Sequence, residues 1–298
     1  MAYKSGFIAI IGRPNVGKST FLNCILGQKI SIVSDKPQTT RNKIIGVKHL
    51  PEGQMIFFDT PGIHNTSKEK SRLNHRMVET AESAFREVDL ILLFVEPTLE
   101  KEDRFLFDLL KKSKVPKILV LNKVDLVGKN KLIVLLSDLR ASLPISDFQE
   151  IIPICAKDGE NVERLTDLIL TFLPEGTAYF PEDQVTDQPI RFLASEIVRE
   201  KVIEQTHDEI PYVVSVQVEQ FREDEVKGLI SIQITVYVEK DSQKGIIIGH
   251  KGERLKAIGS AARLELEGLL DAKVFLEVWV KVKKDWRRND LFLDEMGY

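Results

Sequence analysis

Through residues 7–173 short apolar runs alternate with amphipathic stretches. Residues 7–11, 55–58, 90–95, 117–121 and 151–154 are nearly all apolar, the pattern of strands buried on both faces. Between them, residues 18–26, 74–86, 102–112, 130–142 and 161–172 carry apolar positions at helical spacing. Alternating strands and helices predict a parallel sheet with right-handed crossovers, in which ligands bind at the carboxyl ends of the strands.

The pattern changes after Leu173-Pro174-Glu175-Gly176, which stops the last helix. Residues 176–190 contain Pro181 and show no periodicity, so they read as a linker. A helix is predicted over 191–205, and period-two patterns over 212–218 and 229–238 predict antiparallel strands. A Gly-rich turn at 245–252, a helix to about Gly268, a strand over 274–282 and a short helix complete the chain. The expected organisation is an α/β domain at 1–175, the linker at 176–190, and a smaller α+β domain at 191–298.

A length of 298 residues suits that division, and 43% hydrophobic with 29% charged residues places the chain among globular proteins. The net charge of −3 neither demands nor excludes nucleic acid. Cys24 and Cys155 have no second Cys or His at metal-binding spacing, which predicts a reduced, cytosolic setting. Residues 1–5 form no leader, and every apolar run falls short of the ~20 residues that span a bilayer. Any membrane attachment would therefore be peripheral.

Gly12-Arg13-Pro14-Asn15-Val16-Gly17-Lys18-Ser19 fits G-x-x-x-x-G-K-[ST], directly after a strand and opening a helix that continues with Thr20. Glycines let successive N–H groups turn toward phosphate oxygens, and the helix N-terminus adds its positive end. Lys18 would reach the β- and γ-phosphates and Ser19 would offer its hydroxyl to Mg²⁺. A coincidental Gly-rich turn is the competing reading, opposed by the strand and helix on either side. Asn122-Lys123-Val124-Asp125 closes the strand at 118–121. A carboxylate at Asp125 can accept from both N1–H and the exocyclic amine of guanine, neither of which adenine offers. Asn122 would tie the loop together, and the Lys123 stem would cover the ring. Asp59-Thr60-Pro61-Gly62 ends another strand; Asp59 would hold Mg²⁺ through water and the Gly62 N–H would meet the γ-phosphate. In the polar stretch Pro37-Gln38-Thr39-Thr40-Arg41, Thr40 would complete the metal shell only while the γ-phosphate is present, which makes a switch. In Ile154-Cys155-Ala156-Lys157 the Ala156 N–H would meet guanine O6, with Cys155 and Lys157 beside it. Ile63 stands where Ras-like enzymes place a water-orienting glutamine, so intrinsic hydrolysis should be slow. His64 is a candidate base, although a loop histidine is more often a plain surface residue.

In the second domain Gly249-His250-Lys251-Gly252 follows Ile247 and Ile248 and leads through Arg254 into a helix. The glycines would let sugar and phosphate approach the backbone, while the isoleucines would form a floor for bases. Residues 190–298 hold 17 Lys+Arg against 20 Asp+Glu, yet 240–288 hold 12 against 7. Lys281, Lys283, Lys284, Arg287 and Arg288 alternate with Val280, Val282 and Trp286, the pattern of a phosphate-tracking surface or of a solvated strand edge. Trp279 is expected in the core, and Trp286 fits either role.

The N-terminal half resembles translation-factor-type GTPases through its five guanine-nucleotide motifs. The whole chain resembles the bacterial Era family. The resemblance is carried by residues 12–20, Ile30-Ser31-Ile32-Val33, Gln38-Thr39-Thr40-Arg41, Asp59-Thr60-Pro61-Gly62 and Phe180-Pro181-Glu182-Asp183. Cys155 stands where that family commonly has serine. The Gly249–Gly252 turn and its surrounding elements resemble a type II KH domain. The resemblance implies a P-loop GTPase domain with a mostly parallel sheet followed by a KH domain. It implies hydrolysis of GTP to GDP with Mg²⁺, using Lys18, Thr40, Gly62 and Asn15. It also implies that Asn15 binds a K⁺ ion that acts in place of an arginine finger. The implied partners are single-stranded RNA at the 3′ end of 16S rRNA and the 30S subunit during its maturation, bound by a monomer in the cytoplasm or at the inner membrane face. Two other readings stand beside this one. One is an RNA-binding module whose hydrolysis is incidental. The other is a membrane-surface GTPase, for which Trp286, Leu291, Phe292 and Leu293 provide a short apolar face.

Overall fold

The computed structural model describes residues 2–36, 38–63, 72–83, 88–111, 113–142, 148–224, 226 and 228–298. In chain order the elements are β1 (Lys4–Gly12), α1 (Lys18–Leu26), β2 (Ile44–Leu50), β3 (Gly53–Asp59), α2 (Arg72–Ser83), β4 (Leu90–Val95) and α3 (Lys101–Leu110). Then follow β5 (Lys117–Leu121), α4 (Lys129–Ser142), β6 (Glu150–Pro153), α5 (Val162–Phe172), α6 (Ile190–Glu204), α7 (Ile210–Val213) and β7 (Ser215–Asp224). The chain ends with β8 (Leu229–Val238), α8 (Asp241–Ile248), α9 (Glu253–Leu270), β9 (Lys273–Val282) and α10 (Asp290–Glu295). These elements make two compact units. One runs to Asp187, apart from the segments Ile32–Thr39 and Lys70–Asn74; the other comprises those segments and Gln188–Tyr298.

The first unit holds a six-stranded sheet in the order β2-β3-β1-β4-β5-β6. The five strands with apolar runs are parallel to one another, and every residue of β4 is buried. β2 is what makes the sheet mostly, and not wholly, parallel, because it pairs antiparallel with β3 across the turn at Pro51-Glu52. Its sequence, IIGVKHL, does not alternate cleanly, so only the pairing with β3 reveals it as a strand. The stretch expected to be a linker is bonded to this unit. Buried Gln54 accepts from the Tyr179 and Phe180 N–H groups at 2.8 and 3.0 Å and donates to the Phe180 carbonyl at 2.8 Å. The Val47 N–H donates to the Val185 carbonyl and the Thr186 hydroxyl donates to the Ile45 carbonyl. Residues 184–186 thereby cover the outer edge of β2, which would otherwise offer unpaired backbone groups to another chain.

The second unit is a three-stranded sheet, β7-β8-β9, antiparallel between β7 and β8 and parallel between β8 and β9. The order α6-β7-β8-α8-α9-β9 is the one that the type II KH resemblance implies, with α8 added to the elements read from periodicity. Ala194, Val198 and Val202 of α6 and Ile258, Ala262 and Leu266 of α9 pack with Ile232, Ile234 and Val236 of β8 as one core. Three expectations are corrected. Residues 212–213 belong to the short helix α7, opened by Pro211, and not to a strand. Gly245 lies inside α8, so the Gly-rich turn begins only at Gly249. Trp279 is 43% exposed, because the alternation that buries Val280 turns its neighbour to the open face of the sheet. Trp286 is the core tryptophan: it is fully buried and donates from Nε1 to the Val213 carbonyl at 2.9 Å.

Ile32–Thr39 packs as part of this second unit. Glu200 accepts from the Val33 N–H at 2.9 Å, and Arg199, held by Glu196, donates to the Thr39 carbonyl.

Candidate functional site

β1 ends at Gly12 and α1 begins at Lys18, so residues 13–17 turn at the carboxyl edge of the sheet and lead into a helix N-terminus. Gly17 sits at φ 93°, and a Cβ there would lie 2.2 Å from Asn122 Nδ2. Both the backbone and the space require glycine. Lys18 is buried and curls back over the loop, donating to the carbonyls of Gly12 and Arg13 at 3.0 and 2.9 Å. Burial lowers its pKa to about 8, against the opposing pull of Asp59.

Three oxygen-bearing side chains from separate elements meet beside Lys18. Ser19 Oγ donates to Asp59 Oδ2 at 2.7 Å and lies 2.9 Å from Thr40 Oγ1. Ser31, which the motifs did not single out as a ligand, also donates to Asp59 Oδ2, at 3.0 Å. Asp59 is wholly buried, and among the described residues its Oδ1 has no hydrogen-bond partner. Burial pushes its carboxyl pKa up, while Ser19, Lys18 and Ser31 pull it down. A buried carboxylate with an unused oxygen beside two hydroxyls is a hard oxygen donor set, and it fits Mg²⁺. Gly62 closes the site from the other side: a Cβ there would lie 2.6 Å from the Pro14 nitrogen. Ile63, at 2% exposure, is packed into the core and donates its N–H to the Gly12 carbonyl, so its side chain orients no water. Asn15 occupies the turn at φ 64°. Pro37 and His64 lie outside the described residues.

Asn122 ties three loops together. Its Nδ2 donates to the Val16 carbonyl at 2.7 Å, and its Oδ1 accepts from the Ala156 N–H at 3.0 Å. The Ala156 N–H, expected to be open for guanine O6, is thus already bonded, because a buried amide satisfies both of its halves. Asp125 is exposed and accepts from the Cys155 thiol at 3.3 Å. Burial pushes that thiol's pKa up, so it stays a neutral donor. Lys157 is exposed beside it.

The Arg13 side chain turns away from the phosphate loop. Its guanidinium is committed to Glu96 (2.7 Å), Asp103 (3.3 Å) and Glu100 (3.4 Å), so only its backbone borders the phosphate loop. Lys123 Nζ meets the same Glu96 at 2.5 Å. The motifs did not point to Glu96, Glu100 or Asp103. The one available signal was a run of acids directly after a buried strand.

In the second unit Gly249 takes φ 72° and ψ −177°, Lys251 φ 49° and Gly252 φ 82°, and α9 starts at Glu253. His250 and Lys251 are exposed at the tip, and Arg254 donates to the Ile246 carbonyl at 2.5 Å. Ile247 is fully buried and Ile248 packs against the core, so neither provides the expected floor for bases. Beside the turn lies instead a cleft of about 390 Å³, lined by residues that include Gly252, Leu255, Lys256, Arg263, Leu276 and Val278. Gly252, Lys256 and Arg263 recur at helical spacing, a signal that the sequence did carry. The basic cluster is not one surface. Lys281 shares the open sheet face with Trp279 and lies 3.6 Å from Glu219. Lys283 sits over the Phe292 ring, Arg287 pairs with Glu239 at 2.7 Å, and Lys284 is exposed.

Comparison with known proteins matches residues 7–123 to the family "50S ribosome-binding GTPase" and residues 209–287 to the KH domain. The chain is 52% identical to the GTPase Era of Geobacter metallireducens, across 99% of this chain and 98% of that protein. It is 51% identical, with the same coverage, to the GTPase Era of Geotalea uraniireducens. Two crystal structures each align with 99% of this chain and 99% of their own, at a TM-score of 0.94 and 42% identity. One is Era with MgGDPNP and nucleotides 1506–1542 of 16S ribosomal RNA. The other is a single-residue variant of Aquifex aeolicus Era bound to GDP·AlF4⁻.

Proposed function

The chain belongs to the Era family of GTPases, and from that premise we propose that it is a Mg²⁺-dependent GTP switch that controls binding of the 3′ end of 16S rRNA during 30S subunit maturation. One observation carries the nucleotide half: Ser19, Thr40 and buried Asp59 converge beside Lys18 at a helix N-terminus, leaving an Asp59 oxygen unused. Ser19, Thr40 and Asp59 would hold Mg²⁺, which supplies charge neutralisation at the β- and γ-phosphates. Lys18 and the backbone N–H groups from Asn15 to Thr20 hold the phosphates, and Gly62 meets the terminal one. Asp125 reads the guanine edge, oriented by the Cys155 thiol. Because Ile63 is packed into the core, the attacking water needs another aid, and K⁺ at Asn15 is the one we propose. Equal single-turnover rates in K⁺ and Na⁺ would remove that aid.

The RNA half rests on the GlyXXGly turn and the cleft beside it, together with the related Era structure that carries 16S nucleotides. Single-stranded RNA laid along the cleft would meet Lys256 and Arg263 on α9 and the apolar Leu276 and Val278 on β9. We assign nucleotide binding to residues 1–175 and RNA binding to 191–298, in a monomer acting in the cytoplasm. Among the described residues no helix is long and apolar enough to cross a membrane, and any attachment we propose is peripheral. The deciding experiment measures affinity for a 16S 3′-end oligonucleotide with GDP, with a non-hydrolysable GTP analogue and without nucleotide. A switch requires different affinities, and equal ones would leave an RNA-binding module with incidental hydrolysis.

A further inference from the structure

One carboxylate is shared by the two loops that hold opposite ends of the nucleotide. Glu96 directly follows β4, at the carboxyl edge of the sheet. Its Oε2 accepts from Arg13 Nη2 at 2.7 Å and its Oε1 accepts from Lys123 Nζ at 2.5 Å. Arg13 is the second residue of the phosphate loop, and Lys123 is the lysine of Asn-Lys-x-Asp. Arg13 is fixed on its other side by Asp103, whose Oδ2 also accepts from the Glu100 N–H at 2.8 Å at the start of α3. Burial alone would raise the Glu96 pKa, but the hydrogen bond and charge of Lys123, with those of Arg13, hold it below the usual carboxylate range. Bonds of this kind are short and charge-assisted, and Glu96 is only 20% exposed, so water screens them in part.

We propose that Glu96 is a positioning residue for nucleotide binding, which holds the Lys123 stem over the base site in fixed register with the phosphate loop. This rests on the guanine-nucleotide reading of the site. The physical reason is preorganisation. A free Lys123 must lose its rotamer entropy when nucleotide binds, whereas one already pinned through Nζ has lost it on folding. The Arg13 bond ties the same carboxylate to the turn whose Gly12 and Arg13 carbonyls receive Lys18. The competing account is a structural ion-pair network, which would change stability and leave affinity alone.

Titration of the full-length protein with mant-GDP and Mg²⁺ separates the two, using Glu96→Gln, Lys123→Met and the double variant. Methionine keeps an apolar stem but removes the Nζ through which Glu96 acts. Each single variant is expected to raise Kd about tenfold, equivalent to about 1.4 kcal/mol. The double variant should then reach about 10- to 30-fold, well below the ~100-fold product of independent effects. Multiplying effects, or an unchanged Kd in Glu96→Gln with only a lower melting temperature, would overturn the proposal. If Glu96→Gln fails to fold, Glu96→Asp decides. It keeps the charge but is too short to reach both cations, so its Kd should rise severalfold, and an unchanged value overturns the proposal. Absence of mant-GDP binding by the wild type would overturn the site reading itself and the proposal with it.

Discussion

Asn122 and Gly17 make a prediction whose size can be worked from the geometry. Asn122→Ala removes the bonds to the Val16 carbonyl and the Ala156 N–H, leaving two buried backbone groups without partners. At ~1–3 kcal/mol for each such group, the first unit should lose about 2–6 kcal/mol. Gly17→Ala acts on the same amide from the other side, because its Cβ would lie 2.2 Å from Nδ2. That amide cannot move without giving up Val16, so the cost is the same pair of bonds plus ~1–2 kcal/mol for an L-residue at φ 93°. In the Asn122→Ala background the clash is gone and only the backbone strain remains. The double variant should therefore be more stable than the sum of the singles implies, by the value of that shared pair of bonds, about 2–6 kcal/mol. Both tryptophans of the chain, Trp279 and Trp286, lie in the second unit, so their fluorescence does not report this loss. Urea unfolding followed by far-UV circular dichroism, nucleotide-free in EDTA, measures it, with the tryptophan transition as an internal control. Additivity within ~0.5 kcal/mol would refute the assigned coupling.

Other expected outcomes concern particular side chains. The Lys18 pKa of about 8 lies below its unfolded value of 10.5, so between those pH values the unfolded chain binds more protons and stability rises with pH. Burying that charge costs about 3 kcal/mol near neutrality. Wild-type stability relative to Lys18→Met, measured without nucleotide, should rise across that window, and a flat difference would contradict the burial. Asp125→Asn should weaken GTP while sparing xanthosine triphosphate, tested by competition against mant-GDP; unchanged GTP affinity would refute the role. Trp286→Phe should destabilise the second unit by about 1–3 kcal/mol, because it strands the Val213 carbonyl. Exposed Trp279→Phe should stay within about 0.5 kcal/mol in the same chemical unfolding experiment. Paired Lys256→Glu and Arg263→Glu should lower affinity for a 16S 3′-end oligonucleotide at least tenfold by charge reversal, with GDP affinity unchanged; equal RNA binding would move the interface off the cleft.

Local pattern determined a great deal of this protein. Apolar runs located five of the six strands in the large sheet, because strands buried on both faces must be apolar throughout. The motif spacings singled out Lys18, Ser19, Asp59, Asn122 and Asp125 as candidates, because backbone curls and base edges demand particular residue types at particular intervals. Position in space was another matter. β2 is a strand only because β3 and residues 184–186 lie on either side of it. Ile247 and Trp279 exchanged their expected environments, since the face a side chain presents depends on which neighbours pack against its element. The Arg13 guanidinium turned to three carboxylates 83 to 90 residues away in sequence, and Glu96 joined two loops that no motif connects. Ionic partners of that kind leave no periodic trace along the chain, because a charge pairs with whatever the fold brings within a few ångströms, and that proximity is set by tertiary packing alone.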